Sequence, residues 1–130
     1  MLQQTTPIKP SKEACNASIG GVRDTLYVLG GKWKLPIIAA LKDGGPLRFR
    51  ELQKSLVEIT PKVLSKELKE LEMNEFVTRT VYDTSPVTVE YELTEYSRSL
   101  SKVLLEMRDW GIQHRQRMKE NSRKGRTVSR

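Results

Sequence analysis

The chain has 130 residues, of which 37% are hydrophobic and 30% are charged, and its formal net charge is +7. This length suits one compact domain with a modest core, and no apolar run approaches the roughly 18 residues of a membrane-spanning helix. The first ten residues lack the basic start and apolar stretch of a secretory signal. We therefore expect a cytoplasmic protein that does not associate with a membrane.

The chain contains one cysteine, Cys15, and one histidine, His114. These two residues allow no internal disulfide and no zinc site built from cysteine and histidine ligands. The sequence also lacks a glycine-rich phosphate loop and a supported pair of catalytic carboxylates. It therefore predicts no metal, no cofactor and no enzymatic activity.

The positive charge is concentrated at the C-terminus. Residues 115–130 contain seven basic residues and one acidic residue, whereas residues 1–114 contain sixteen basic and fifteen acidic residues. Residues 121–130 have no apolar pattern, so we expect a basic, disordered tail. An anion-binding surface on the folded part must come from the patterning of charges, because their sum there is close to zero.

The N-terminal part of the chain predicts a loose arm followed by two helices. Residues 1–21 show no hydrophobic periodicity and include a Gly-Gly pair, which indicates a loose arm with a short turn of helix around Cys15. A short helix is predicted next, with Val22, Leu26 and Leu29 on one face and Gly30-Gly31 at its end. An apolar stripe and a turn at residues 43–46 then define a second helix, whose apolar residues are Trp33, Ile37, Ala40 and Leu41.

Two further helices are predicted in the middle of the chain. After a short bridging strand at Leu47, a helix of about two turns carries Phe49, Leu52 and Leu56. The next helix spans residues 61 to 73: its start is marked by an N-cap at Thr60 and a proline at the first helical position, and its apolar face consists of Leu64, Leu68 and Leu71.

The pattern changes to period two after residue 76. Alternating apolar residues over 77–81 and 87–93, separated by a polar tip at 83–86, predict a two-stranded hairpin. Thr94 is then a candidate cap for a last helix of roughly 20 residues. The order of elements predicts a mainly α winged helix-turn-helix domain over residues 22–120, with a small β-hairpin and a long C-terminal dimerisation helix.

The helix over residues 61–73 separates its charges by face. At about 100° per residue, three lysines and Ser65 lie opposite the leucines, and the glutamates lie on the flanks, where they would repel misaligned phosphates. Such a ridge fits a DNA major groove, with its N-terminal residues nearest the bases. The alternative is an ordinary solvated helix in which Lys66 and Glu70 form an i,i+4 pair.

Four motifs in order carry a resemblance to a known family. They are Gly30-Gly31-Lys32-Trp33, Arg48-Phe49-Arg50-Glu51-Leu52, Ile59-Thr60-Pro61-Lys62-Val63-Leu64-Ser65 and Val89-Glu90-Tyr91-Glu92-Leu93-Thr94. Over about residues 15–114 the chain resembles the HxlR-type transcription regulators, a MarR-like winged-helix family. The resemblance implies a bacterial homodimer that binds double-stranded DNA. Its terminal helices and N-terminal segments would form the subunit interface, and its two reading helices would meet a pseudo-palindromic operator.

The predicted DNA contacts combine this resemblance with the helical pattern. They are Thr60, Pro61, Lys62, Ser65, Lys66 and Lys69 on the reading helix, Arg48 and Arg50 before it, and Arg79, Thr84 and Ser85 on the wing. The wing has Pro86-Val87-Thr88 where many members of the family carry an arginine. The predicted dimer interface consists of Leu100, Val103, Leu104, Met107 and Trp110.

Two interpretations stay open for Cys15. In some members of the family the N-terminal cysteine responds to oxidants or electrophiles, so Cys15 is a candidate redox sensor; the other interpretation is an inert thiol. A small-molecule or oxidant effector is compatible with the resemblance, and the sequence identifies none. The second functional hypothesis is a winged-helix protein-interaction module that does not read DNA, since the charge of residues 1–114 is nearly balanced.

Overall fold

The computed structural model describes residues 12–125, and the predicted winged helix-turn-helix fold is confirmed. The elements are α1 (Lys12–Leu29), α2 (Lys34–Gly44), β1 (Leu47–Arg48), α3 (Phe49–Ser55), α4 (Pro61–Met73), β2 (Val77–Tyr82), β3 (Thr88–Leu93), a 3-10 helix (Tyr96–Leu100) and α5 (Ser101–Arg123).

The core lies between α2, α3, α4 and the sheet. Its apolar side chains are each no more than 5% exposed, and they are Leu29, Ile37, Ile38, Leu41, Leu52, Ile59, Leu64, Leu68, Leu71, Phe76 and Val77. The leucine face of α4 is therefore fully buried, as its spacing predicted. Burying that face fixes which side of α4 points to solvent.

The sheet has three antiparallel strands in the order β1-β3-β2. The hairpin pairs Val77 with Leu93 at its base and Tyr82 with Thr88 near its tip. The short strand predicted at Leu47 is confirmed. It pairs with Tyr91 on the side of β3 opposite β2. The wing is thus joined at its base to the segment that leads into α3.

Thr94 acts as a cap, but for the 3-10 helix that precedes α5. Its hydroxyl accepts a hydrogen bond from the Ser97 backbone N–H (3.2 Å) and donates to the carbonyl of Glu75 (2.7 Å). The buried Ser97 hydroxyl donates to the carbonyl of Phe76 at 2.5 Å. These bonds attach the start of the C-terminal segment to the end of α4 and the start of β2.

The first helix is longer than the sequence pattern indicated. It begins at Lys12 and passes through Gly20 and Gly21, so the expectation of a loose arm is wrong for residues 12–21. Residues 1–11 lie outside the described part of the chain. Val22 and Leu26 do share a face with Leu29, but their side chains are 60% and 59% exposed.

The last helix also runs beyond its expected end. It continues to Arg123, so residues 121–123 are helical and not part of a disordered tail. Residues 124–125 form a turn, residues 126–130 lie outside the described part of the chain, and the division into arm, domain and tail stays a prediction. Between residues 12 and 125, no helix combines the length and the apolar composition needed to cross a bilayer.

Candidate nucleic-acid interface

The start of α4 is set by its N-cap. Thr60 has an extended backbone, and its hydroxyl accepts a hydrogen bond from the backbone N–H of Val63 at 3.3 Å. Pro61 occupies the first turn, where its missing N–H leaves no intrahelical bond unmade. The helix therefore begins at the residue that the sequence predicted, and its first two residues, Pro61 and Lys62, are exposed.

The outward face of α4 carries the residues predicted to read DNA. Lys62, Ser65, Lys66 and Lys69 are all exposed, opposite the buried leucines. Among the described residues, Lys62 and Lys69 form no ion pair, so their ammonium groups are available to an anionic partner. Lys66, by contrast, already has carboxylate partners.

A four-residue ionic cluster lies on one flank of α4. The Nζ of Lys34, the first residue of α2, is 2.6 Å from Oε1 of Glu67 and 2.6 Å from Oε1 of Glu70. The Nζ of Lys66 is 3.2 Å from Oε2 of Glu70 and 3.7 Å from Oε2 of Glu67. The i,i+4 pair that the sequence allowed is therefore present, within a larger network that sequence reasoning missed.

The cluster shifts the pKa values of Lys34 and Glu70, and each shift favours the ionised form. Burial of Lys34 disfavours its ammonium, but hydrogen bonds to Glu67 and Glu70 outweigh burial and raise its pKa above 10.5. The hydrogen bond from Lys34, followed by that from Lys66, lowers the pKa of Glu70 below 4.5. Lys34 and Glu70 are thus held in their ionised forms near neutral pH.

A groove of about 390 Å³ separates α4 from the wing. It brings together Ser65 and Lys69 from α4 and Arg79 from β2; the remaining lining residues are Leu68, Glu72 and Tyr91. Three of the predicted DNA contacts therefore share one concave surface. This arrangement allows a phosphate backbone to be held between the reading helix and the sheet.

The other predicted contacts are distributed around this groove. Arg48 and Arg50 are exposed near the start of α3 and do not line the groove. The backbone N–H of Arg48 donates to Glu51 at 2.8 Å, which stabilises the first turn of α3. At the wing tip, the Thr84 hydroxyl donates to the carbonyl of Pro86 at 2.7 Å, so it supports the shape of the tip, whereas Ser85 is exposed.

The residues predicted to form the dimer interface divide into two groups. Leu100 and Leu104 are half-buried and pack against the domain's own core. Val103, Met107 and Trp110 are exposed, and the Trp110 ring stacks on His114 with centroids 5.0 Å apart. Only the second group is available to another chain in full.

The structure adds exposed apolar residues that the sequence interpretation did not include. On α5 and α1 they are Leu105, Ile112, Ile19 and Tyr27. Ile19 continues the spacing of Val22 and Leu26, which could have extended the first helix backwards if the glycine pair had not been taken as its limit. Cys15, the candidate redox sensor, is exposed on the same helix.

Comparisons with known proteins point to one family. The sequence model of the HxlR-like helix-turn-helix family matches residues 28–119. The helix-turn-helix-type transcriptional regulator YybR of Bacillus subtilis is 41% identical over 108 residues, which cover 83% of this chain and 82% of the relative.

Two solved structures share this architecture. The redox regulator HypR in its reduced form is 39% identical with a TM-score of 0.71, covering 77% of this chain and 98% of that one. Diamide-treated YodB from B. subtilis is 41% identical with a TM-score of 0.60, covering 72% and 90%. The capped reading helix, the wing and these matches agree: the chain belongs to the HxlR-like helix-turn-helix family of transcriptional regulators.

Proposed function

We propose that this protein is a sequence-specific transcriptional regulator that binds a pseudo-palindromic DNA operator as a homodimer. The observation that carries the proposal is the outward face of α4, where Lys62 and Ser65 are exposed. The leucines on the opposite face of the same helix are at most 1% exposed. A rigid helix with a polar, basic N-terminal half is suited to the major groove.

Each predicted contact has a role in this arrangement. Lys62, Ser65 and Lys66 read base edges from the first two turns, where a major-groove helix approaches the bases most closely. Phosphate contacts position the domain and carry no sequence information of their own. We assign them to Arg48, Arg50 and the wing residues Arg79, Thr84 and Ser85. Thr60 and Lys69 join the residues that read base edges, and Pro61, which has no N–H to donate, sets the start of the helix.

Dimer formation is supported by the terminal helices. Among its 23 residues α5 has no buried side chain, and α1 buries only Leu29. Helices with exposed apolar side chains at helical spacing are stabilised by packing against another surface. A second copy of the chain supplies that surface with two-fold symmetry, which repeats the reading helix at two half-sites.

Selection of binding sites from random DNA, followed by affinity measurements on the selected duplex, tests the DNA-reading proposal. We expect Lys62→Ala to weaken binding by about tenfold or more and, if Lys62 also neutralises a phosphate, to reduce the salt slope by about 0.9. The matched control is Lys102→Ala, which removes an equally charged, exposed lysine from α5. Wild-type affinity in Lys62→Ala would place the reading face elsewhere.

We further propose that Cys15 makes the regulator responsive to oxidants or electrophiles. The proposal is supported by the exposure of the Cys15 thiol and by the similarity to a redox regulator and to a regulator studied after diamide treatment. Diamide oxidation of two Cys15 thiolates would join two subunits, with the azo group reduced to its hydrazide. Non-reducing electrophoresis should show a dimer that Cys15→Ser abolishes; monomer alone would exclude this disulfide.

A protein-interaction module is the second candidate function. The near balance of charge over residues 1–114 favours it, because such a surface attracts DNA only weakly over long distances. A gel shift with the gene's own upstream region distinguishes the two functions. Retardation that competitor DNA of unrelated sequence does not remove supports the regulator, whereas no retardation, or retardation independent of sequence, supports the module.

A further inference from the structure

Lys34 is a single cation bound to two carboxylates on a different helix. It lies at the start of α2, and its Nζ is 2.6 Å from both Glu67 and Glu70 of α4. Its side chain is 12% exposed, and that of Glu67 is 14% exposed. A contact this short and this sheltered from water is screened less by salt than a pair on the surface.

Lys34 and Lys66 hold opposite oxygens of the same two carboxylates. Lys34 contacts the Oε1 atoms, whereas Lys66 contacts the Oε2 atoms at the longer distances of 3.2 and 3.7 Å. The side chain of Lys66 is 63% exposed. Of the two cations, Lys66 is therefore the one that can leave the carboxylates and turn toward bound DNA.

Lys34 determines how much negative charge remains on Glu67 and Glu70 after Lys66 has moved. With Lys34 in place, Glu67 and Glu70 keep a hydrogen-bonded counter-ion after Lys66 has moved. Without Lys34, Lys66 would be the one cation beside the two carboxylates in this cluster, and they would hold Lys66 more strongly. They would also stand as uncompensated negative charges beside the DNA backbone, where like charges repel.

We propose that Lys34 is a positioning residue for DNA binding: by compensating one of the two negative charges of Glu67 and Glu70 from inside the domain, it frees Lys66 for DNA. This role rests on the proposed function of α4 as the reading helix. Lys34 acts through the two glutamates and Lys66, and needs no contact with DNA. The flanking glutamates Glu67 and Glu70, which the sequence indicated as repulsive, are in this arrangement partly compensated on the α2 side.

The test measures affinity for the duplex selected from random DNA at several salt concentrations. Lys34→Met removes the charge and keeps an unbranched side chain of similar length. We expect it to bind about tenfold more weakly at low salt, with a difference that narrows as salt screens the carboxylates. Lys42→Met is the matched control, since it removes an exposed lysine from the same helix that has no carboxylate partner in residues 12–125; we expect it to bind within about twofold of the wild type.

A rescue variant separates electrostatics from structure. In Lys34→Met/Glu67→Gln/Glu70→Gln no carboxylate remains to be compensated, so affinity should return at least to the wild-type value. If Lys34 acts instead by fixing the angle between α2 and α4, the triple variant will stay as weak as Lys34→Met. That result, or wild-type affinity in Lys34→Met, would overturn the proposal. Lys62→Ala measured alongside tests α4 itself: if it too binds as the wild type, the proposed function fails and not this inference alone.

Discussion

The central half of the molecule, α2 to β3, and the two terminal helices differ sharply in how they bury apolar side chains. In α4, Leu64, Leu68 and Leu71 are at most 1% exposed. In α5, which is almost twice as long, no side chain is buried, and Trp110 and Ile112 are 67% and 63% exposed. The central half therefore completes its own core within one chain, and the terminal helices do not.

Because of this difference, the two parts of the molecule are suited to different tasks. A helix buried on one face presents its other face at a fixed angle, which reading base edges requires. Helices with exposed apolar faces instead gain stability by association, which makes their packing sensitive to a partner and to modification. Substitutions in α4 and in the terminal helices test this difference, because they should have different effects on unfolding and on assembly.

The largest expected effect is in the core of α4. Leu68→Ala removes a side chain that is 1% exposed, and the resulting cavity should lower the free energy of unfolding by about 2–5 kcal/mol. Urea unfolding followed by circular dichroism measures it. Met73→Ala, at the end of the same helix and 76% exposed, should change it by less than about 0.5 kcal/mol. Equal effects at both positions would mean that α4 is not held by its leucine face.

The next effect is expected on assembly. Trp110→Asp places a charge in the exposed apolar face of α5 and should raise the dimer dissociation constant by about 30-fold or more, the effect of losing an interface anchor of about 2 kcal/mol. Sedimentation equilibrium measures the dissociation constant. Val57→Asp is the control, because Val57 is 72% exposed but lies between α3 and α4. Dissociation by both variants, or by neither, would remove the assigned role of α5.

The reading helix could be predicted closely from sequence because its signals are local. A cap at Thr60, a proline at the next position and leucines at i, i+4 and i+7 lie within a few residues of one another, and each favours the same boundary. The wing could be predicted for the same reason: its alternation continues on both sides of one polar turn.

Two features could not be predicted, for different physical reasons. The Gly20-Gly21 pair suggested a break, yet α1 passes through both residues, because a low local helix propensity is outweighed over an 18-residue helix. The contact of Lys34 with Glu67 and Glu70 joins positions 33 and 36 residues apart. A lysine and a glutamate carry no sequence signal that identifies a distant partner, so the α4 flank looked like free acidic surface.

A smaller effect is expected at the N-cap of α4. Thr60→Ala removes the acceptor for the Val63 N–H and should lower the free energy of unfolding by about 1 kcal/mol. Thr60→Ser keeps the hydroxyl and should retain most of the stability, which urea unfolding of both variants can measure. If Thr60→Ser loses as much as Thr60→Ala, the threonine methyl group and not the hydrogen bond would be the stabilising contact.

The smallest effect is the pH dependence of the stability that comes from the contact between Lys34 of α2 and the two carboxylates of α4. The pKa of Glu70 is lowered by Lys34, so this pairing stabilises the fold above pH 4.5, and the stabilisation is lost as pH falls through the lowered pKa. The pKa of Lys34 is raised, so its contribution is present below pH 10.5 and is lost as pH rises through the raised pKa. The stability difference between wild type and Lys34→Met should therefore be greatest near neutral pH.

Urea unfolding of both proteins across this pH range measures that difference. It should be small, because the Glu70 side chain is 40% exposed and water screens such pairs. In acid the difference should shrink as Glu70 takes up a proton, and Lys42→Met should show no such dependence. A difference that stays constant with pH would mean that the aliphatic part of Lys34 stabilises the α2–α4 contact. The charge of Lys34 would then matter for DNA binding only if the difference in affinity between Lys34→Met and the wild type still narrowed with salt.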